Sequence, residues 1–186
     1  MVSLLLNFII GIGAATIYTG KEGSQRLDTD QLRIAFDGDA TLFNDEAEIV
    51  AKEQGLEKFF ENETKKADIP LGTGPMKRFA MLLGSIKKKF KGKKTQPIRV
   101  YLITARGASS SGERALITLR SWGLEVDEAL FLSGAPKGPL LEEMQPHLFF
   151  DDSQKNIDSG LEYGVNTSAH VPYGISQVIP DGGTGQ

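Results

Sequence analysis

The sequence predicts an α/β fold, a Rossmann-like parallel sheet with helices on both faces, and three observations carry that prediction. Short apolar runs at Leu32–Phe36, Val100–Ile103, Ala129–Leu132 and His147–Phe150 alternate with segments of helical periodicity. The runs are almost continuously apolar, as befits strands buried on both faces. Each run leads into polar residues with chemical capability: Asp37 and Asp39, Thr104, Lys137, then Asp151 and Asp152. In open α/β sheets, ligands sit beyond the carboxyl ends of the strands.

The elements follow in order. Met1 to Tyr18 is apolar, but no Lys or Arg precedes the apolar stretch, Asn7, Gly11 and Gly13 interrupt it, and it falls short of the roughly 20 residues that cross a bilayer. It reads as a buried element, with no membrane partner. Gly11-Ile12-Gly13 starts like a dinucleotide fingerprint; Thr16 at the third small position and the absence of an acid-tipped second strand argue against it. Gly20 to Asp30 reads as a connection, and Leu32–Phe36 as the first core strand. Asn44 or Asp45 caps a helix through Glu53. Thr73-Gly74-Pro75 precedes a helix over Met76–Phe90, with Phe79, Leu82, Leu83 and Ile86 on one face. Lys87, Lys88, Lys89, Lys91, Lys93 and Lys94 crowd its end, a solvated terminus whose cations suit the helix dipole, with a steering patch for anionic substrates as the alternative. A Gly/Ser-rich turn after Thr104 leads to a helix from Ser111 or Gly112 to Trp122, closed by Gly123. Gly164–Val171 adds a last strand, and the Gly-rich end reads as a disordered tail.

Composition narrows the class. With 186 residues, 40% hydrophobic and 24% charged, the chain suffices for one domain with its own core. A net charge of -3 and pI near 5.5 give no reason to expect a nucleic-acid partner. The chain has no cysteine, which excludes disulfides, thiolate catalysis and Cys-ligated zinc and makes the cytoplasm the default.

Asp37-Gly38-Asp39 places two carboxylates at the end of a core strand, where a period of two lets both point into one site. Burying such groups costs several kcal/mol unless a cation or proton transfer requires them. With Thr104, Lys137, Asp151 and Asp152 they form a rim suited to a phosphate and a divalent cation. Asp37 is the candidate nucleophile, forming an aspartyl phosphate. Asp39 is the candidate proton carrier, first to the leaving alkoxide and then from water. Mg²⁺ would draw oxygen ligands from Asp37, Asp151 or Asp152 and the backbone near Asp39, so Asp37, Asp39, Asp151 and Asp152 are the metal candidates. Thr104 and the amides from Ala105 onward are candidate phosphate ligands, and Lys137 compensates the clustered and developing charge. Singly, each residue has a plainer reading: an ordinary strand-end Thr, an exposed Lys in Pro136-Lys137-Gly138-Pro139, an Asp capping a turn. The ordered set outweighs those readings.

That order and spacing resemble the haloacid dehalogenase superfamily of aspartate-nucleophile phosphatases. Arg33–Ala40, Thr118–Leu132, Gly134–Leu141 and Phe149–Asp152 resemble the cytosolic type I 5'-nucleotidases, with similarity from about Ala14 to Gly174. The resemblance implies Mg²⁺-dependent dephosphorylation of nucleoside 5'-monophosphates, AMP foremost, in the cytoplasm, with ADP as activator. It divides the chain into an N-terminal element and connection (1–30), a catalytic domain (31–174) with a cap insertion at about 43–98, and a tail (175–186). It implies a catalytic C-terminal half, in which Met1 to Ile10 stands where the family has a longer region. A missing strand would leave an edge or apolar face to cover, hence a homo-oligomer, or a weakly active fragment that binds or regulates a longer enzyme. Phosphorylation receivers share several of these residues but not their order. Phe43, Phe59, Phe60 and Phe79 read as core rather than base-stacking residues. Arg106 reads as either a phosphate contact or a surface ion pair, His147 and His170 as structural, and Ser153 receives no role.

Overall fold

The computed structural model describes residues 13–20 and 30–174. The expected connection after Gly20, most of the N-terminal apolar run and the expected tail therefore lie outside the described residues. Within them, six strands form one sheet: β1 (Thr16–Thr19), β2 (Leu32–Phe36), β3 (Ile98–Thr104), β4 (Glu128–Phe131), β5 (Leu148–Asp151) and β6 (Thr167–His170). Their spatial order is β1-β6-β5-β2-β3-β4. All pairings are parallel except that of β1 with β6.

The apolar strands explain the layers. Alternation along β2, β3 and β5 sends Ile34, Phe36, Val100, Leu102 and Phe150 into one core and Ala35, Tyr101, Ile103 and Phe149 into the other. Helices α2 (Lys77–Lys88) and α3 (Ser110–Ser121) contribute Ala80, Leu83, Ala115 and Leu119 to the first core. Helices α4 (Gly138–Met144) and α5 (Gln154–Glu162) contribute Leu141 and Ile157 to the second. Phe36 stacks on Phe150 at 5.1 Å, and Phe79 packs edge-on against both. Each such aromatic pair adds about 0.5–1.5 kcal/mol beyond the area it buries. His147 is structural, as expected: its Nδ1 accepts the Arg33 amide at 3.1 Å and its own amide donates to the Arg33 carbonyl at 2.8 Å.

Several expectations need correction. The described part of the N-terminal run is an edge strand with Ile17 more than half exposed, not a buried element. The helix expected to stop at Glu53 is α1 (Glu46–Lys65), which passes through a break at Gly55 (φ 86°, ψ 170°) and resumes. Asp45 precedes it without a side-chain capping bond. On α2, Leu83 is buried, but Leu82 is 61% and Ile86 42% exposed, so the apolar face is narrower than its periodicity suggested. The lysines at its end are partly engaged: Lys87 donates to Asp127 at 2.5 Å, and Lys88 donates to the Gly123 carbonyl at 3.3 Å.

Candidate active site

The carboxyl ends of β2 and β5 lie side by side because Phe36 pairs with Phe150, and the Asp37 amide donates to the Phe150 carbonyl at 2.8 Å. One residue further on, Asp37 and Asp151 share the parity of Ala35 and Phe149 and lean toward the second core. From that side Lys137 arrives, immediately before α4. Its ammonium lies 2.6 Å from Asp37 Oδ1 and 2.6 Å from Asp151 Oδ2. The exposed-loop alternative for Lys137 does not hold, since the side chain is almost fully buried. Asp151 also accepts from the Ser153 amide at 2.9 Å and from Asn156 Nδ2 at 3.0 and 3.1 Å, which exhausts much of its acceptor capacity. Asp152 adds the third carboxylate, and oxygens of Asp37, Asp151 and Asp152 lie within 4.8 Å of one another. His170 Nε2 donates to the Asp152 carbonyl at 2.9 Å, fixing the chain after β5.

Electrostatics follow from that crowding. Burial, reinforced by the charges of Asp151 and Asp152, raises the Asp37 carboxyl well above the usual carboxylate range despite Lys137. Burial also opposes the charge on Lys137, but Asp151 and Asp37 outweigh it and hold the ammonium protonated beyond its ordinary range. Three carboxylates facing one ammonium leave an excess of negative potential.

Asp39 lies in the same cleft but faces another partner. The chain turns sharply over Gly38–Leu42, with Ala40 at φ 56°, and the Phe43 amide donates to the Gly38 carbonyl at 2.9 Å. A Cβ on Gly38 would stand 2.9 Å from Thr104 Oγ1, so a glycine between the two acids lets that hydroxyl approach. The turn, rather than strand alternation, aims Asp39. Its Oδ2 accepts from Arg106 Nε at 2.8 Å and its Oδ1 from Nη2 at 2.7 Å, a two-pronged grip. Its side chain is therefore absent from the carboxylate cluster.

Arg106 is buried, which corrects the reading of it as a surface ion pair, and it lines the same cleft as Thr104. Its Nη1 donates to Glu63 Oε2 at 2.5 Å and to the Ser111 carbonyl at 3.1 Å. Fully buried Glu63 accepts in turn from Arg114 Nη1 at 2.7 Å. Arg114 donates to Glu46 Oε1 at 2.6 Å and to the Ile69 carbonyl at 2.8 Å. The network ties both ends of α1 to α3 and to the proton-carrier candidate.

Thr104 is buried, and its Oγ1 accepts the Arg106 amide at 3.2 Å, leaving its O–H to donate into the cleft. Ala105 is exposed beside it. The cleft, about 660 Å³, has the acids, Thr104, Ala105 and Lys137 at one end and Leu56, Phe59 and Phe60 of α1 along a wall.

A family model described as 5'-nucleotidase matches residues 8–178. The chain belongs to the 5'-nucleotidase family. It is 52% identical over 157 residues to human cytosolic 5'-nucleotidase 1B, covering 83% of this chain and 26% of that protein. The chain thus spans about a quarter of the length of that curated relative. Among solved structures, it resembles the HAD domain of a Legionella pneumophila effector protein, with TM-score 0.43 and 7% identity over 72% of this chain and 77% of that one. It also resembles a HAD-superfamily hydrolase from Geobacter sulfurreducens, with TM-score 0.39 and 13% identity over 79% and 87% of the two chains.

In this 5'-nucleotidase-family chain the structure brings Asp37, Thr104, Ala105, Lys137 and Asp152 to one cleft, with Asp151 directly behind Lys137 and Asp39 turned toward Arg106. Sequence reasoning missed Glu63, Arg114 and Asn156. Asn156 follows the acid pair by one helical turn, a spacing that could have marked it; nothing in the spacing of Glu63 or Arg114 could have done so.

Proposed function

We propose that this chain hydrolyses nucleoside 5'-monophosphates, AMP foremost, to nucleoside and phosphate in a Mg²⁺-dependent reaction within the cytoplasm. The observation that carries this reading is Lys137 wedged between Asp37 and Asp151, with Asp152 completing a buried carboxylate triad at one end of a cleft. Among the described residues, no helix is long and apolar enough to cross a membrane.

The triad suits a hard divalent cation: three buried carboxylates offer oxygens only, and a single ammonium leaves negative charge to be matched. Asp37, Asp151 and Asp152 would hold it. When bound, Mg²⁺ would neutralise phosphate charge that otherwise repels Asp37. Asp37 attacks phosphorus in line, displacing the nucleoside oxygen and forming an aspartyl phosphate; water then cleaves the acyl phosphate and restores the carboxylate. Thr104 donates its O–H to a phosphate oxygen, and the Ala105 amide is the neighbouring donor. Lys137 keeps Asp37 oriented and offsets charge as the phosphoryl group transfers. Asp39 hands a proton to the leaving alkoxide and recovers one from water; Arg106 grips both its oxygens, so the acid step requires one oxygen to leave that grip. Within the cap insertion, residues 43–98, α1 lines the cleft through Ala51, Leu56, Phe59 and Phe60 and acts over the leaving group, whereas α2 packs on the sheet.

Phosphate release from AMP by the purified chain, with and without Mg²⁺ and beside Asp37→Asn, tests the proposal. Metal-dependent release that the variant loses supports it. Release no higher than the variant's overturns it and favours the fragment reading, a binding or regulatory role. ADP activation and self-association are drawn from the family resemblance, and are read by adding ADP and by light scattering.

A further inference from the structure

The expectation that Phe59 and Phe60 belong to the core fails: Phe60 is 48% exposed and Leu56 67% exposed. Both are on the second half of α1, after the break at Gly55, and with Phe59 they follow i, i+3, i+4 spacing, which puts them on one helical face. That face lines the cleft that ends at Asp37 and Lys137. The two phenyl rings meet edge to face, with centroids 5.3 Å apart. The Phe59 ring also lies 6.0 Å from the Arg106 guanidinium, which grips Asp39, so Phe59 stands next to the reacting end and Phe60 further out.

We propose, resting on the nucleotidase reading above, that Phe60, backed by Phe59 and Leu56, is the nucleobase subsite. A cleft of about 660 Å³ is of small-molecule size. One end is charged and suited to phosphate, whereas the other presents apolar aromatic faces to solvent. A ligand matching both ends carries an anionic group and a flat unsaturated ring, as a nucleotide does. Leaving a phenyl ring and a leucine half in water gains nothing for folding; covering them with a base removes that surface from water. Base–aromatic stacking tolerates every base, because each has a π-face. The subsite therefore distinguishes nucleotides from simple sugar phosphates much more sharply than it distinguishes one base from another, with purines preferred for their larger ring area.

The test compares kcat/KM for AMP with that for ribose 5-phosphate, which keeps the ester and lacks the base. The unsubstituted chain prefers AMP. Phe60→Ala lowers the AMP-to-ribose-5-phosphate ratio by about five- to 150-fold, the worth of one stacked base, and Phe60→Trp keeps or raises it. A ratio that neither variant moves overturns the subsite, as does an unsubstituted chain that treats both esters alike. If the unsubstituted chain hydrolyses neither ester, the nucleotidase reading fails by itself. Adenosine binding followed by NMR then decides the subsite, with loss in Phe60→Ala supporting it and equal binding overturning it.

Discussion

Replacing Glu63 with glutamine should cost this protein a large part of its stability, although residue 63 lies outside the carboxylate cluster. Glu63 is fully buried between two guanidinium groups, taking Arg106 Nη1 on Oε2 at 2.5 Å and Arg114 Nη1 on Oε1 at 2.7 Å. Glutamine keeps the volume and one acceptor oxygen, but turns an NH₂ group toward the other guanidinium, donor against donor. One charge-assisted bond is lost, about 1.5–3 kcal/mol. Both arginines must then be balanced by Asp39 and Glu46 alone, and breaking buried pairs of this kind costs about 3–5 kcal/mol in total. Because Arg106 retains Asp39 and Arg114 retains Glu46, the lower end applies, about 3 kcal/mol. For a chain of this size that corresponds to a fall of about 6–12 °C in Tm. Urea unfolding followed by circular dichroism reads the change as a shifted midpoint. Glu61→Gln, two residues away and paired with exposed Lys58, is the control and should leave the midpoint where it is. A Glu63→Gln midpoint equal to that of the control would refute the view that this network is a buried, mutually dependent set of charges.

Three further outcomes are expected. Lys137→Met leaves Asp37, Asp151 and Asp152 without their shared ammonium, so phosphate release should fall by about 10²–10³-fold; retention of full kcat would exclude a role for the ammonium in charge compensation. The Asp37 carboxyl titrates higher in the folded chain than its unfolded value, about 3.9. Its ionisation therefore costs stability, a cost absent below the unfolded value and fully developed as pH rises through the folded one. Metal-free Asp37→Asn should accordingly gain stability over the unsubstituted chain as pH rises from about 4 toward neutrality, and added Mg²⁺ should reverse the difference; thermal melts giving a constant gap across that range would contradict this. Gly38→Ala forces a Cβ to within 2.9 Å of Thr104 Oγ1 and should lower stability by about 1–3 kcal/mol while reducing kcat/KM, measured side by side on the folded variant.

Much of this architecture could be read from the chain because a strand buried on both faces must be continuously apolar. The runs around Phe36, Leu102 and Phe150 pair in the sheet, and the polar residue after each marks the rim. Lys137 was legible only through its company: its immediate neighbours suggest a loop, yet its ammonium is buried against two acids. The direction of Asp39 was not legible, since it depends on a left-handed Ala40 and on an arginine 67 residues away. Glu63 and Arg114 look like ordinary charges on solvated helices; their burial arises from α1 packing on α3, which no local pattern encodes. The helix expected to end at Glu53 instead bends at Gly55 and runs on to Lys65. The antiparallel β1 escaped notice because Thr16–Thr19 carries neither a strong alternation nor a turn partner.

The placement of β2 at the centre of the rim sets the time at which this protein acquires its chemistry. Its two neighbours, β3 and β5, are both remote along the chain; Arg33 and His147, which join at the β2–β5 seam, are separated by 114 residues. Parallel seams need long crossovers and close slowly. A refolding chain can therefore regain helices while Asp37 and Asp151 are still apart, and under the proposed function phosphate release should recover after the far-ultraviolet signal, making it a clock for the last seam to zip.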